Sequence, residues 1–137
     1  MEDSIEVDEY DPQWPEKYVL ERDSLAEALG LSPACFRHIG STAVEGLAAK
    51  PTIDLMIGVE PLEVGESQVR IMERAGYAHL GEFGIPGRQF FKKGEPRTHH
   101  VHWVRRDADF WAKQLVFRDY LRDCPEARAP YVDLKRR

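Results

Sequence analysis

Cysteine is scarce in this chain, which has 137 residues and only two cysteines, Cys35 and Cys124, far apart and without a CxxC spacing. A structural zinc site built from cysteine is therefore excluded, and a chain of this size needs no disulfide framework. Basic residues are also in the minority, because 19 Lys and Arg face 24 Asp and Glu, for a formal net charge of −5. We therefore expect no general nucleic-acid binding, since such binding usually requires a basic excess.

Long apolar runs are missing as well. No stretch approaches the roughly 20 apolar residues that cross a bilayer, and the acidic N-terminus has no apolar segment of the signal-peptide type. We therefore expect a cytoplasmic protein with no membrane partner. The 42% of apolar and 31% of charged residues suffice for one core and a solvated surface. We predict a single domain over residues 1–137, with residues 1–9 extended or frayed and the oligomeric state left open.

Turn residues and hydrophobic periodicity divide the chain into helices and strands. Helices are predicted from residue 16 to the stop at Gly30 and over 64–75, 109–122 and 125–137; strands are predicted over 34–39, 52–59, 77–80, 88–93 and 98–104. In the third helix the predicted inward positions are Phe110, Leu115, Phe117 and Leu121. The aromatic residues predicted to lie in the core are Trp111, Phe117 and Tyr120. Strands that follow one another without helices predict an α+β fold, a mixed or antiparallel sheet with helices packed on it.

The most informative stretch runs from His38 to Val59. Gly40 ends a strand at a position where backbone N–H groups can approach an anion, and the hydroxyls of Ser41 and Thr42 add donors. Lys50 adds a positive charge for a phosphate. Twelve residues separate Ser41 from Asp54, which stands within an apolar strand.

An ionised Asp54 is costly in an apolar strand unless it meets a cation or several hydrogen-bond donors. It is therefore either a structural hydrogen-bond acceptor or a functional ligand, and the sequence leaves both readings open. A Gly-Ser turn alone is common. The combination of a strand, Gly-Ser and then an Asp in the next strand resembles the nucleotidyltransferase superfamily, in which the turn holds a triphosphate and strand carboxylates hold divalent metal.

The chain also resembles the GrpB family, also called UPF0157, over most of its length. The motifs that carry the resemblance are His38–Val44, Gly46–Pro51 with Ile53-Asp54, Tyr10-Asp11, Trp14-Pro15, Gly84–Arg88, His100–His102, Phe117–Arg122 and Tyr131 with Leu134-Lys135. The resemblance implies a nucleotidyltransferase-like fold and a cytoplasmic bacterial or related source, but no well-established reaction. Some relatives carry such a domain fused to dephospho-CoA kinase, which points towards nucleotide or coenzyme metabolism.

Two residues depart from these patterns. Glu45 stands where the family usually has proline, which places a negative charge near the proposed anion site. Met56 occupies the position of the second carboxylate of active nucleotidyltransferases, two residues after Asp54. Because alternate strand residues share a face, Met56 removes a metal ligand that two-metal phosphoryl transfer needs.

A histidine-rich strand supplies further candidates. Alternation places His100 and His102 on one face, where they can bind a metal ion, flank a phosphate or simply form hydrogen bonds within the sheet. We hypothesise that His102 replaces the missing carboxylate beside Asp54, so that Asp54, His100 and His102 hold Mg or Mn, with Asp54 and His102 as the catalytic pair. Arg88, after the turn at 84–87, is the preferred phosphate contact because a guanidinium binds phosphate oxygens in pairs.

Three functions follow from these residues. The first is a metal-dependent, nucleotidyltransferase-like enzyme that acts on a nucleotide or phosphorylated metabolite. The second is a binding module that has lost the second metal carboxylate and senses a nucleotide or coenzyme without catalysis. The third is a structural partner of another enzyme. The sequence names neither the acceptor substrate nor the metal.

Overall fold

The computed structural model describes the backbone of residues 7–136 and the side chains of residues 7–132. The described helices are α1 (Trp14–Leu29), α2 (Glu66–Arg74), α3 (Asp109–Asp123) and α4 (Arg128–Arg136). The described strands are β1 (Phe36–Ile39), β2 (Ile53–Val59), β3 (Tyr77–His79), β4 (Gln89–Lys93) and β5 (His99–Arg105). Short 3₁₀ turns occupy Pro33–Cys35, Ser41–Ala43 and Pro125–Ala127. None of the helices in this part of the chain is long and apolar enough to span a membrane.

The five strands form one mixed sheet in the order β1-β2-β5-β4-β3. β2 and β5 are parallel, whereas β1 pairs antiparallel with β2, and β4 pairs antiparallel with both β5 and β3. The predicted α+β fold, a mixed sheet with helices packed on it, is confirmed. The parallel pair matters most for function because its register sets Asp54 opposite His100 and Met56 opposite His102.

One face of the sheet carries the main core. Alternate residues of β2 and β5, such as Leu55, Ile57 and Trp103, are buried on this face beneath Trp14 and Leu25 of α1. Apolar area removed from water stabilises a fold by roughly 25 cal/mol per Å², so this continuous cluster anchors both central strands. The two strands that hold the site are therefore both packed on the main core.

The opposite face is covered over only part of its length. Met56 and Val104 pack there against Trp111 of α3. Gly58 permits this contact, because a Cβ at that position would overlap the Trp111 ring. The other end of the same face presents the polar side chains of Asp54 and the two histidines, as the alternation rule predicts.

Several details differ from the sequence-based expectations. The prediction that Phe117 and Tyr120 belong to the core is wrong, since they are 45% and 54% exposed, whereas Trp111 and Leu121 are buried as expected. Phe117 and Tyr120 instead lie with Val116 on an exposed part of α3. Of the N-terminal stretch expected to be extended or frayed, residues 1–6 lie outside the described residues, and Asp8 forms two backbone hydrogen bonds with Ala49, each 2.8 Å long.

Candidate functional site

A single carboxylate oxygen stands at the centre of the site. Oδ1 of Asp54 on β2 lies 3.1 Å from Nδ1 of His100 and 2.9 Å from Nε2 of His102, both on β5. Because an ionised carboxylate only accepts hydrogen bonds, both histidine nitrogens donate to it. The hypothesis that His102 lies beside Asp54 agrees with this geometry, and the site joins two strands rather than following one.

An arginine faces the far nitrogen of each histidine. Nη1 of Arg88 lies 3.1 Å from Nδ1 of His102, and Nη1 of Arg97 lies 3.5 Å from Nε2 of His100. Arginine has donors and no acceptor, so each of these ring nitrogens is placed to accept a hydrogen bond. The contacts therefore favour the ring tautomers whose N–H groups point at Asp54.

The charge of Asp54 is set by two opposing effects. Burial alone would raise the pKa of Asp54, but the hydrogen bonds from His100 and His102 outweigh burial and hold the pKa of that carboxyl well below its ordinary value. Its side chain nevertheless keeps 21% of its surface exposed. Asp54 is thus an ionised, partly accessible carboxylate, which is a suitable partner for a cation or a hydrogen-bond donor.

Gly40 closely approaches the second carboxylate oxygen. A Cβ built on Gly40 would lie 2.7 Å from Oδ2 of Asp54, a separation that real side chains do not adopt. The backbone of Gly40, with φ 76° and ψ −176°, also lies in a region that is essentially restricted to glycine. Glycine is therefore required here, as the sequence argument expected, although the closest neighbour is a carboxylate of the protein itself.

A cavity of about 320 Å³ opens beside these groups. Asp54 and His100 line it together with Gly40, Ser41 and Lys50, so most of the predicted site residues do come together. The Ser41 hydroxyl lies 2.9 Å from the phenol oxygen of Tyr131 on α4, which also lines the cavity. The Gly40-Ser41 turn and Asp54 thus face one shared space.

Thr42 lies elsewhere. It is buried, and its hydroxyl donates to the carbonyl oxygen of Thr52, at 3.3 Å, and accepts from Nε2 of His38, at 3.0 Å. Thr42 is absent from the lining of the Asp54 cavity. The predicted phosphate contact of the Thr42 hydroxyl is therefore replaced by a buried structural one, and the turn directs only Ser41 into the cavity.

Arg88 is likewise committed to contacts within the protein. Only 6% of this residue is exposed, and its Nη2 donates to the carbonyl oxygens of Glu82, at 3.2 Å, and Phe83, at 3.0 Å. Its guanidinium carbon lies 4.4 Å from the centre of the Phe90 ring. Because Arg88 does not line the cavity, its observed contacts suit the orientation of His102 rather than contact with a phosphate.

Three potential metal ligands cluster on this face of the sheet, and two of them, Asp54 and His100, line the cavity. The ligand atoms of Asp54, His100 and His102 lie within 4.8 Å of one another. Nitrogen and oxygen donors in this number suit a divalent transition metal better than Mg²⁺, which prefers oxygen ligands. The residue at the position of a second carboxylate, Met56, is fully buried beside Trp111 and offers no ligand.

Two residues of the site were not among the sequence-based candidates. Arg97 lies in the turn before β5 and reaches His100 from outside the sheet. Tyr131 approaches from α4, ninety residues after Ser41. Tyr131 was noted in a motif of the GrpB resemblance, and that motif was the signal in the sequence. Arg97 left no signal of its own, since its reach depends on the path of the turn.

Comparisons with known proteins agree with this architecture. The GrpB protein family profile matches residues 4–137. The UPF0157 protein YqkA of Bacillus subtilis is 38% identical over 96% of this chain, and a UPF0157 protein of Pseudomonas aeruginosa is 39% identical over 98% of it. The chain spans only 39% and 57% of the lengths of these two relatives.

A solved structure shows the same fold. The crystal structure of the conserved protein GrpB from Enterococcus faecalis superimposes with a TM-score of 0.84 at 40% identity, over 92% of this chain and 78% of that one. The match of the family profile to nearly the whole chain and this superposition lead to the same conclusion. The chain belongs to the GrpB family.

Proposed function

We propose that this chain binds a nucleotide or another phosphorylated small molecule in the Asp54 cavity, together with a divalent metal ion. The observation that carries the proposal is the cluster of three potential metal ligands, Asp54, His100 and His102, of which Asp54 and His100 line a cavity together with Ser41 and Lys50. A metal ion on the carboxylate would offset its charge and attract phosphate oxygens. The proposal retains the cytoplasmic location expected from the sequence.

The phosphate would lie between the Gly40-Ser41 turn and Lys50. Ser41 offers a hydroxyl, and the Lys50 side chain is exposed and free to adjust to a ligand. The cavity volume of about 320 Å³ lies at the lower end of the range for small-molecule sites, about 300–1,000 Å³. It suits the phosphate and sugar portion of a nucleotide, with any base extending beyond the cavity.

The metal would be held by one carboxylate and one or two imidazoles. Of the two ions expected from the sequence, Mn²⁺ fits this donor set better than Mg²⁺, because imidazole is a poor ligand for Mg²⁺. When bound, such an ion would supply charge that orients phosphate oxygens. Asp54 would anchor it, and His100, which lines the cavity, would provide the second ligand.

Nucleotidyl transfer is a further step that the residues support less well. Two-metal transfer uses several carboxylate oxygens to bridge the ions, and Met56 provides none. The relationship to nucleotidyltransferases rests on the order of the Gly-Ser turn and the strand Asp. We therefore propose binding as the function of the site and treat transfer as a separate activity to be tested.

The arginines behind the histidines favour a second candidate, a binding module that works without metal. A histidine that ligates a metal almost always donates its other N–H to an acceptor. Here the far nitrogens of His100 and His102 face Arg97 and Arg88, which are donors. In this arrangement Asp54 stays free of metal and accepts a hydroxyl or amine of the ligand through Oδ2.

Calorimetric titration separates these candidates. Wild-type protein is titrated with ATP, GTP and coenzyme A, each with and without Mn²⁺ or Mg²⁺, and compared with Asp54→Ala. Asp107→Ala is the matched control, because Asp107 is an exposed carboxylate that pairs only with Arg105 among the described side chains. Metal-dependent binding that Asp54→Ala abolishes supports the first candidate, and metal-independent binding supports the second. If none of these compounds binds, both candidate functions are contradicted, and the role of a structural partner of another enzyme is left.

Product analysis then tests transfer. Radiolabelled or mass-resolved ATP is incubated with the protein and Mn²⁺, and the release of pyrophosphate is measured. Because Met56 stands where a second metal-binding carboxylate would be needed, we expect ATP to bind without pyrophosphate release. Pyrophosphate release that depends on Asp54 would show that the site transfers nucleotides despite Met56.

A further inference from the structure

A second cavity lies on the other side of the Ser41–Ala43 turn. Its volume is about 380 Å³, and its lining includes Thr42, Glu45, Arg122 and Arg128. None of these four residues lines the Asp54 cavity. The turn therefore separates two spaces, one that receives Ser41 and one that receives Thr42.

Backbone carbonyls hold both arginines of this second cavity in place. Nε of Arg122 donates to the carbonyl oxygen of Ala43 over 2.9 Å. Arg128 caps the end of α3, with Nε donating to Leu121 O and Nη2 donating to Arg122 O, both over 2.8 Å. Each guanidinium has five N–H donors, so these contacts fix the orientation of both groups and leave further N–H groups unused by them.

Neither arginine has a close carboxylate partner among the described side chains. Among the described side chains, no carboxylate lies within 4.0 Å of Arg128, and the one nearest to Arg122, that of Asp119, is at 4.0 Å. Burial lowers the pKa of the Arg122 guanidinium, and the positive charge of Arg118 lowers it further, while Asp119 and Asp123 act in the opposite direction. A bound anion would relieve this repulsion.

The remaining walls add little negative charge. Burial lowers the pKa of His38 to about 4, so this ring is neutral at pH 7, and the Thr42 hydroxyl is engaged with it. Glu45 contributes a carboxylate at the exposed rim. The interior of the cavity therefore presents two oriented guanidinium groups with one acidic side chain at its edge.

We infer that this cavity is an oxyanion site, in which Arg122 and Arg128 bind a phosphate group or a carboxylate. Guanidinium groups pair their N–H donors with such oxygens in a planar, two-bond geometry. Because both groups are already held by carbonyl oxygens, little side-chain freedom is lost on binding. The site is separate from the proposed function of the Asp54 cavity and stands if that proposal fails.

Inorganic phosphate is the first probe, followed by acetate, each titrated into the full chain labelled with ¹⁵N. The amides of Thr42, Ala43 and the α3–α4 junction report on the second cavity, whereas Ser41 and Lys50 report on the first. If phosphate binds and acetate does not, the cavity takes a phosphate-type ligand. If both bind, it is a general oxyanion site. If neither phosphate nor acetate perturbs the Thr42 and α3–α4 amides, the inference is overturned.

Substitutions then show which of the two cavities binds the anion. Arg122→Gln and Arg128→Gln are each expected to weaken phosphate binding at least about tenfold, since each removes charge-assisted hydrogen bonds to the anion. Arg105→Gln, at the exposed end of β5, should leave phosphate binding unchanged, and Lys50→Gln should alter only the response of the Ser41 and Lys50 amides and not that of the Thr42 and α3–α4 amides. Loss of phosphate binding in Lys50→Gln alone would assign the anion to the Asp54 cavity and overturn the inference.

Two milder variants keep the test decisive if a glutamine variant fails to fold. Arg122→Lys preserves the charge but not the paired donors, and it should weaken phosphate binding severalfold. Glu45→Gln removes the acidic group at the rim and should strengthen binding. Unchanged affinity in both variants would contradict a site formed by these arginines.

Discussion

Mild acid is expected to destabilise this protein through His38. The His38 ring stacks against Tyr18, with ring centres 4.7 Å apart, and its Nε2 donates to the hydroxyl of Thr42. Burial is the main cause that lowers its pKa from 6.5 to about 4 in the folded chain, while nearby Arg122 and Arg118 act in the same direction and Asp54 opposes them. In the unfolded chain the ring recovers an ordinary pKa near 6.5.

The sign follows from proton binding. Between pH 6.5 and about 4 the unfolded chain binds a proton at His38 that the folded chain excludes, so stability falls as the pH falls through this window. Each pKa unit corresponds to about 1.36 kcal/mol, so the full difference over these 2.5 units is about 3.4 kcal/mol and becomes complete below the folded pKa. From pH 7 to pH 4.5 we expect a loss of about 2 kcal/mol from this residue.

Urea denaturation at a series of pH values measures this loss against His38→Gln, whose amide can keep a hydrogen bond to Thr42 but does not titrate. Burial also lowers the pKa of His99, which faces Glu21, so the wild-type slope contains a second contribution of the same sign. The difference between the two proteins isolates His38. If that difference is the same at pH 7 and pH 4.5, the buried neutral state assigned to His38 is wrong.

Three further predictions concern the strands and the turn of the site. Gly58→Ala should lower the free energy of unfolding by about 1–3 kcal/mol in urea denaturation, because its Cβ would overlap the Trp111 ring. Gly40→Ala should lower the free energy of unfolding by about 1–3 kcal/mol and abolish ligand binding in the Asp54 cavity, as measured by calorimetry. Gly30→Ala is its control: it should lower the free energy of unfolding by about 1–2 kcal/mol and leave binding intact, since its Cβ meets open space. The pKa of Asp54 in the folded chain lies below its ordinary value of 3.8, so the stability that its charge contributes is complete above that pH and is lost below it. In Asp54→Asn the free energy of unfolding, measured in urea at a series of pH values, should therefore fall less steeply in acid than in the wild type.

The order of the elements was predictable because turn residues bound them sharply. The strand expected at residues 52–59 is observed as Ile53–Val59, between Pro51 and the Glu60-Pro61 turn. Likewise the helix expected at 109–122 is observed as Asp109–Asp123. Apolar runs between proline and glycine specify local structure strongly, so their boundaries follow from the residues nearby.

Strand pairing could not be read from the local pattern. Alternation placed His100 and His102 on one face, but the parallel pairing of β5 with β2, which brings that face to Asp54, is a property of the whole sheet. The same limit applies to hydrogen-bond partners. Thr42 and Arg88 were assigned to a ligand because both carry donors, yet the carbonyl oxygens of Thr52 and Glu82 accept from them instead, in contacts that depend on the path of the intervening loops.

The position of Met56 explains why the polar groups lie across the sheet and not along β2. Met56 shares a face with Asp54 but is fully buried beside Trp111, where an ionised carboxylate would lose its hydration without gaining a partner. The register instead places His102 opposite Met56, with its Nε2 2.9 Å from Asp54 Oδ1. The site therefore carries one negative charge where a two-metal site needs two or more, and it can offset part of the charge of one divalent cation but not that of a bridged pair. That charge balance is compatible with the binding role proposed for the site and does not meet the requirement of two-metal nucleotidyl transfer.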